Sequence, residues 1–248
     1  MQPKLDLAWM ESRQTFHDKL FGLTDKSLRR AGKPLVQDGA DDVASHLRGD
    51  GRNLVVWPED IGLWAAFTGD RGRSARGSGS LEGAVGGLFS AYSSQTAYYG
   101  QRYPEAAARV PQIRLLAIGL TDTFGRVALE TYSELASKYK VWLEAGVNMV
   151  RTWHVVCVTD EHPPQEPCDE QDPVKVQTLG DPGEPSRGYA YEATSPDVSN
   201  MALVFGPDGK LVSKQVKTYL TPSEVGRPEG QVAALDFVPG SITSGLSA

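Results

Sequence analysis

The chain has no stretch of about 18 consecutive apolar residues, so a membrane-spanning helix is excluded. It has no excess of basic charge either. Lys and Arg number 25 against 31 Asp and Glu, a net charge of −6, whereas a nucleic-acid partner requires a concentrated basic face. Cysteine is scarce: two in 248 residues exclude a disulfide-dense scaffold. Cys157 and Cys168 lie eleven positions apart, a spacing that fits no zinc pattern, and His17, His46, His154 and His162 show no metal-ligand spacing. The two cysteines read first as free thiols. The alternative is a loop-stapling disulfide, which implies an oxidising compartment. No phosphate loop and no Gly-x-Ser-x-Gly elbow occurs. The start Met1–Asp6 lacks the apolar core of a secretory signal, so as written the chain reads as cytoplasmic. With a bridged Cys157–Cys168 and a truncated N-terminus, it reads as secreted.

What is present describes an ordinary globular protein, 40% hydrophobic and 23% charged, long enough for one large domain. Trp9 to Ala31 reads as a helix with Phe16, Leu20 and Leu23 on one face and a stop at Gly32. A polar connection follows from Asp38 to Arg52. Asn53–Pro58 is a continuous apolar run of the kind that forms a strand buried on both faces. Ile61–Phe67 reads as one or two helical turns. Gly69–Gly79 reads as a solvated loop whose Arg71, Arg73 and Arg76 make a small basic patch. Gly77–Gly83 follows no strand and is a poor dinucleotide motif. Leu81–Tyr99 reads as a close-packed helix and Leu115–Leu120 as a strand. Thr121-Asp122 reads as the cap of a helix from Thr123 to Tyr139, with Val127, Tyr132, Leu135 and Tyr139 on its buried side.

Val141–Val147 and Trp153–Val158 read as further strands, the second carrying a packed His154, and the recurrence of strand, helix, strand points to an α/β sheet. Residues 160–196 turn abruptly to Pro, Gly, Asp and Glu and read as an acidic, partly irregular surface insertion. Met201–Phe205, Asp208-Gly209 and Lys210–Val212 spell a hairpin. Signals of structure thin out after Glu224.

Three residues stand where chemistry collects. Glu59 follows the Asn53–Pro58 strand. Placed between Trp57 and Trp64, it suits a general base with a raised pKa, or else it simply favours the N-terminus of the next helix. Lys217 ends the hairpin strand, where an ammonium can stabilise an oxyanion; Lys210, Lys214 and Lys217 suit equally a solvent-facing edge. Glu224 follows seven residues later.

Taken in order, the segments are more specific than any one of them. Asn53-Leu54-Val55-Val56-Trp57-Pro58-Glu59 resembles the first-carboxylate motif of the carbon–nitrogen hydrolase, or nitrilase, superfamily. The unit Leu135–Val141 running to Gly146 resembles that family's central helix and strand, which ends in Ala-Gly. Asn200–Phe205 with Asp208-Gly209-Lys210 is similar to its Asn…Asp-Gly-Lys hairpin, and Lys217–Glu224 to its catalytic-lysine segment. The match spans most of Gln2 to Glu224.

The resemblance implies an α/β fold of the nitrilase type, a four-layer α-β-β-α sandwich, here incomplete at both ends. Residues 1–248 would form one partial carbon–nitrogen hydrolase domain with an insertion at 160–196. It also implies an amidase-type hydrolase that takes a small-molecule amide or nitrile, needs no cofactor or metal and forms a homodimer when complete. Its Glu-Lys-Cys chemistry makes Glu59 the base, Lys217 the cation that stabilises the tetrahedral intermediate, and Glu224 the residue that positions substrate or lysine. The family's cysteine follows the lysine, and Thr218–Ala248 contain none; Cys157 and Cys168 precede Lys217 and match no family position. Gln2 matches the end of a first strand whose other residues are missing. A non-catalytic relative that binds a ligand or partner is therefore the alternative.

Overall fold

The computed structural model describes residues 7–30, 53–108, 112–163, 166–180, 188–221, 224 and 237–240. The stop at Gly32, the Asp38–Arg52 connection, Gln2 and most of the tail after Glu224 lie outside the described residues. Among these residues seven strands form two mixed sheets. Sheet A has the order β1 (Leu54–Val56), β2 (Trp142–Val150), β6 (Val198–Phe205), β7 (Leu211–Val216), and only the β1–β2 pair is parallel. Sheet B has the order β4 (Glu170–Gln171), β3 (Trp153–Cys157), β5 (Tyr189–Ala193). The fold class is mixed α/β, as the alternation of patterns implies.

β2 carries the core. Leu143, Ala145, Val147 and Met149 alternate along it and are fully buried, the period-two signature of a strand with one face on a packed layer. The helix Glu130–Tyr139 packs on β2 and β6, with Tyr132 edge-on to Phe205. This helix continues Thr121–Phe124 and a π-helical segment, Gly125–Leu129. Val127, Tyr132, Leu135 and Tyr139 are buried as expected. Asp122 is no cap. It is itself buried and accepts hydrogen bonds from Arg126 Nε (2.8 Å) and the Tyr191 N–H (2.9 Å).

The first helix runs Arg13–Arg30 after a 3-10 turn, with Phe16 and Leu20 fully buried and Leu23 packed beside them. Asp208-Gly209 turns the β6–β7 hairpin, where Gly209 sits at φ 83°, a conformation that glycine adopts without steric cost.

Five expectations need correction. β1 is not buried on both faces. Among the described residues it is a three-residue edge strand paired with β2 alone, so Val55 packs on the core while Leu54 and Val56 are 59% and 54% exposed. Leu115–Leu120 is not a strand but most of a helix, Ile113–Gly119, buried nearly all round. Leu81–Tyr99 is two helices, Leu81–Ala91 and Ser93–Arg102, broken at Tyr92. The arginine loop is tied down: Arg71 stacks over Tyr92 and donates to the Gly180 carbonyl, while Arg76 donates to those of Phe67 and Gly69. Only Arg73 fits the solvated reading, paired with Asp70 at the surface. Residues 160–196 are not mere surface chain either. They contain the helix Pro173–Leu179, capped by Asp172, and β5, all five of whose residues are buried.

The plainer reading of the cysteines is also overturned. Cys157 at the end of β3 is bridged to Cys168, with Cα atoms 6.0 Å apart. The bridge closes the loop that brings β4 alongside β3. Cross-linking a loop of this size restricts the unfolded chain, a gain of about 2–3 kcal/mol. The C157A/C168A double variant is therefore expected to lose that much unfolding free energy and to unfold at lower urea concentration, with reductant shifting the wild type the same way. An unchanged midpoint would remove the bridge from the stability account.

Candidate active site

Sheet A places the three sequence-selected residues together. The chain leaves β1 alongside β2, where the Trp57 N–H donates to the Glu144 carbonyl at 2.8 Å, and crosses over Gly146. Gly146 shares its face with Trp142 and Glu144, the face opposite Leu143 and Ala145, and the backbone of Glu59 lies directly on it. Asn148 anchors the next residue, its Nδ2 donating to Asp60 Oδ1 at 3.2 Å. Asp60 thus serves β2 and makes no side-chain cap to the 3-10 helix Ile61–Phe67. Lys217 follows β7 directly, its N–H donating to the Asn200 carbonyl and its own carbonyl accepting from Gly240.

The side chains form one network. Lys217 Nζ donates to Glu59 Oε1 at 2.6 Å and to Glu224 Oε2 at 3.0 Å. Asn200 Nδ2 donates to the same two carboxylates, at 2.6 Å to Glu59 and 2.8 Å to Glu224. The Thr221 N–H (2.7 Å) and hydroxyl (2.9 Å) complete the donors to Glu224. Burial alone would raise the Glu224 carboxyl. The Thr221 N–H, the Asn200 amide and the Lys217 ammonium outweigh it and hold this group down at about 2. The Glu59 carboxylate, with Glu224 behind it, keeps the Lys217 ammonium above the usual lysine range.

Glu224 is therefore the buried anchor and Glu59 the accessible partner. The Glu59 side chain is 53% exposed, so the desolvated setting expected between Trp57 and Trp64 is not found. Trp57 does line the cavity, but Trp64 packs on Phe67 instead. Both donors to Glu59 among the described residues go to Oε1, and none goes to Oε2. A cavity of about 610 Å³ opens beside the network, walled by Val56, Trp57, Glu144, Gln215 and Tyr219. This arrangement presents a proton acceptor, a fixed cation and an apolar wall to one small molecule.

Two of these residues carry roles that sequence reasoning did not assign. Asn200 appeared only as part of a hairpin motif, yet it joins both carboxylates. Glu144 faces the cavity from the outer side of β2, a position that alternation with the buried Leu143 and Ala145 could have revealed. Neither cysteine belongs here, because both are committed to the bridge at the β3–β4 end of sheet B.

A different cluster gathers metal-type ligands. His154, Glu170 and Glu192 bring one donor atom each within 4.8 Å of one another. Lys175 Nζ already bonds both carboxylates, at 2.8 and 3.2 Å, and Tyr98 and Arg102 occupy the other oxygen of Glu192. The acids are thus balanced by the protein's own cations, a poor donor set for a metal ion. His154 is not simply packed, as its strand position implied. It bonds Glu192 at 2.7 Å within this network.

Compared with family models, with curated proteins and with solved structures, the chain matches none of them.

Proposed function

We propose that the chain is a carbon–nitrogen hydrolase of the nitrilase type, acting on a small-molecule amide or nitrile, with sheet A and its helices forming two layers of an α-β-β-α sandwich. The observation that carries this reading is the convergence of Glu59, Asn200, Lys217 and Glu224, each from a segment that resembles a family motif, into one hydrogen-bonded network beside a cavity. In this reading Glu59 Oε2 takes a proton from an attacking water, whose oxygen bonds the amide carbon, and returns it to the nitrogen that leaves as ammonia when the C–N bond breaks. The Lys217 ammonium then stabilises the negative oxygen that develops on the former amide carbon. Glu224, held ionised by its donors, positions Lys217, and Asn200 fixes the spacing between the two carboxylates. Homodimer formation is part of the same proposal.

A second reading is favoured by a specific observation: the only two cysteines are bridged to each other, so these 248 residues provide no thiol nucleophile. The same site then binds its amide without turning it over. One experiment separates the two readings. Ammonia release is measured from a panel of aliphatic and aromatic amides and nitriles, alongside equilibrium binding of the same compounds. Hydrolase function predicts release that falls at least about a hundredfold in Glu59→Gln and in Lys217→Ala, the scale of losing one charge-stabilising group. Saturable binding without release selects the second reading. Neither binding nor release refutes both.

A further inference from the structure

Alternate residues of β7 face opposite sides of sheet A. Gln215 lines the Glu59 cavity, whereas Lys214 lines a second and larger one of about 760 Å³. This volume lies within the range of small-ligand pockets. Its deep wall is apolar and comes from separate elements: Leu129 precedes the Glu130–Tyr139 helix, Tyr191 belongs to β5 and Phe205 to β6. All three are buried, although they border the cavity. Three lysines, Lys138, Lys210 and Lys214, stand exposed around it.

The charges in this cavity are asymmetric. Its acids have donors of their own. Glu130 takes the Tyr189 hydroxyl at 2.9 Å and Arg13 at 2.5 Å. Glu134 takes His17 at 3.1 Å, and Glu166 takes the Trp153 indole N–H at 3.1 Å. The lysines are less closely paired among the described residues, although the Glu166 carboxylate acts on Lys214 from a distance. Lys214 Nζ lies 4.0 Å from the centre of the Trp153 ring and, among the described residues, donates to the Arg151 carbonyl. Lys138 sits 4.9 Å over Phe21. Lys210 comes no nearer to a carboxylate than the 3.9 Å to Asp208. Among the described residues no carboxylate lies within 4.0 Å of Lys138 or Lys214.

Burial pushes the Glu130 carboxyl up to about 8, against the Tyr189 hydroxyl and the Arg126 guanidinium, and raises Glu166 against the Trp153 indole and Lys214. Burial also holds the Lys214 ammonium below the usual lysine range, outweighing the Glu166 carboxylate that would raise it.

We propose that this cavity is a second ligand site, for a small carboxylate with an apolar or aromatic body. The body lies against Leu129, Tyr191 and Phe205, and the anionic head meets the lysines at the mouth. The site is independent of the Glu59 network, which opens on the other face of the sheet.

Equilibrium dialysis of labelled octanoate, with octylammonium as the opposite-charge control, tests the proposal. Octanoate is expected to bind saturably at one site per chain, and octylammonium at least tenfold more weakly. The surface charge-reversal variant K210E/K214E is expected to lose at least tenfold in octanoate affinity. Ser213→Glu, at an exposed position on the same strand with the opposite facing, should leave that affinity unchanged. Absent octanoate binding at millimolar concentration, equal binding of octylammonium, or an affinity indifferent to K210E/K214E would each overturn the assignment.

Discussion

Gly146→Ala is expected to destabilise the protein by about 3 kcal/mol or more, at the upper end of what overpacking costs. A Cβ at this position would fall 1.6 Å from the Glu59 carbonyl oxygen, 2.3 Å from its carbonyl carbon and 2.6 Å from its Cα. All three are backbone atoms, so no side-chain rotation relieves the contact. The backbone is pinned on both sides, by Trp57 N–H to Glu144 and by Asn148 to Asp60. To make room, the Glu59 segment must lift off β2, and its carboxylate then leaves the Asn200 and Lys217 donors. Stability and site therefore fail together. Gly86→Ala supplies the contrast. Gly86 lies in the Leu81–Ala91 helix with nothing within 4 Å of its added Cβ, so alanine is expected to be neutral or to stabilise by up to about 1 kcal/mol. Urea unfolding of both variants, with midpoints and slopes compared to wild type, measures the two effects. A Gly146→Ala midpoint equal to that of Gly86→Ala would show that the close approach of Glu59 to β2 does not exist.

This glycine also explains how much of the site was legible in the sequence. Glu59, Lys217 and Glu224 were singled out from the order of their segments, and the fold brings the three side chains together. Their separate positions argued only weakly, since a carboxylate at a strand end and a lysine on a hairpin have ordinary structural uses. Asn200 escaped because its role depends on two carboxylates that approach it from distant segments, a relation no local pattern encodes. The fold was legible where periodicity was unambiguous. β2, the β6–β7 hairpin and the Glu130–Tyr139 helix all follow from alternation, turn chemistry or helical spacing.

It was illegible where composition and burial separate. Leu115–Leu120 is apolar all round, and a short apolar run suits a buried helix as well as a buried strand. β5 was hidden by averaging: Tyr-Ala-Tyr-Glu-Ala is buried at every residue, yet it sits inside a stretch rich in Pro, Gly and acid. Its Glu192 is tolerated at zero exposure because Tyr98, Arg102, His154 and Lys175 all donate to it. Those partners come from a helix, a strand and a second helix that only the folded chain brings together.

Asp122→Ala is expected to cost about 3–5 kcal/mol, the penalty for stranding a buried charge. Asp122 and Arg126 are 3% and 4% exposed, one helical turn apart, with Arg126 Nε 2.8 Å from Asp122 Oδ2. The pair also links layers. Asp122 Oδ1 accepts the Tyr191 N–H, and Arg126 donates to the Tyr189 carbonyl while lying 4.8 Å over the Tyr189 ring. Alanine thus removes both the counter-charge of Arg126 and an acceptor for a buried β5 N–H, each a loss without solvent to replace it. Asp122→Asn keeps an acceptor for Tyr191 but not the charge, and should fall between wild type and alanine. The double variant D122A/R126M removes the stranded guanidinium and is expected to recover part of the loss, because an apolar pair of similar volume often matches a buried ion pair. A double-mutant cycle in urea gives the coupling energy directly. If Asp122→Ala cost less than about 1 kcal/mol, the helix and β5 would be held by apolar contacts alone, and the buried pair would contribute no measurable stability.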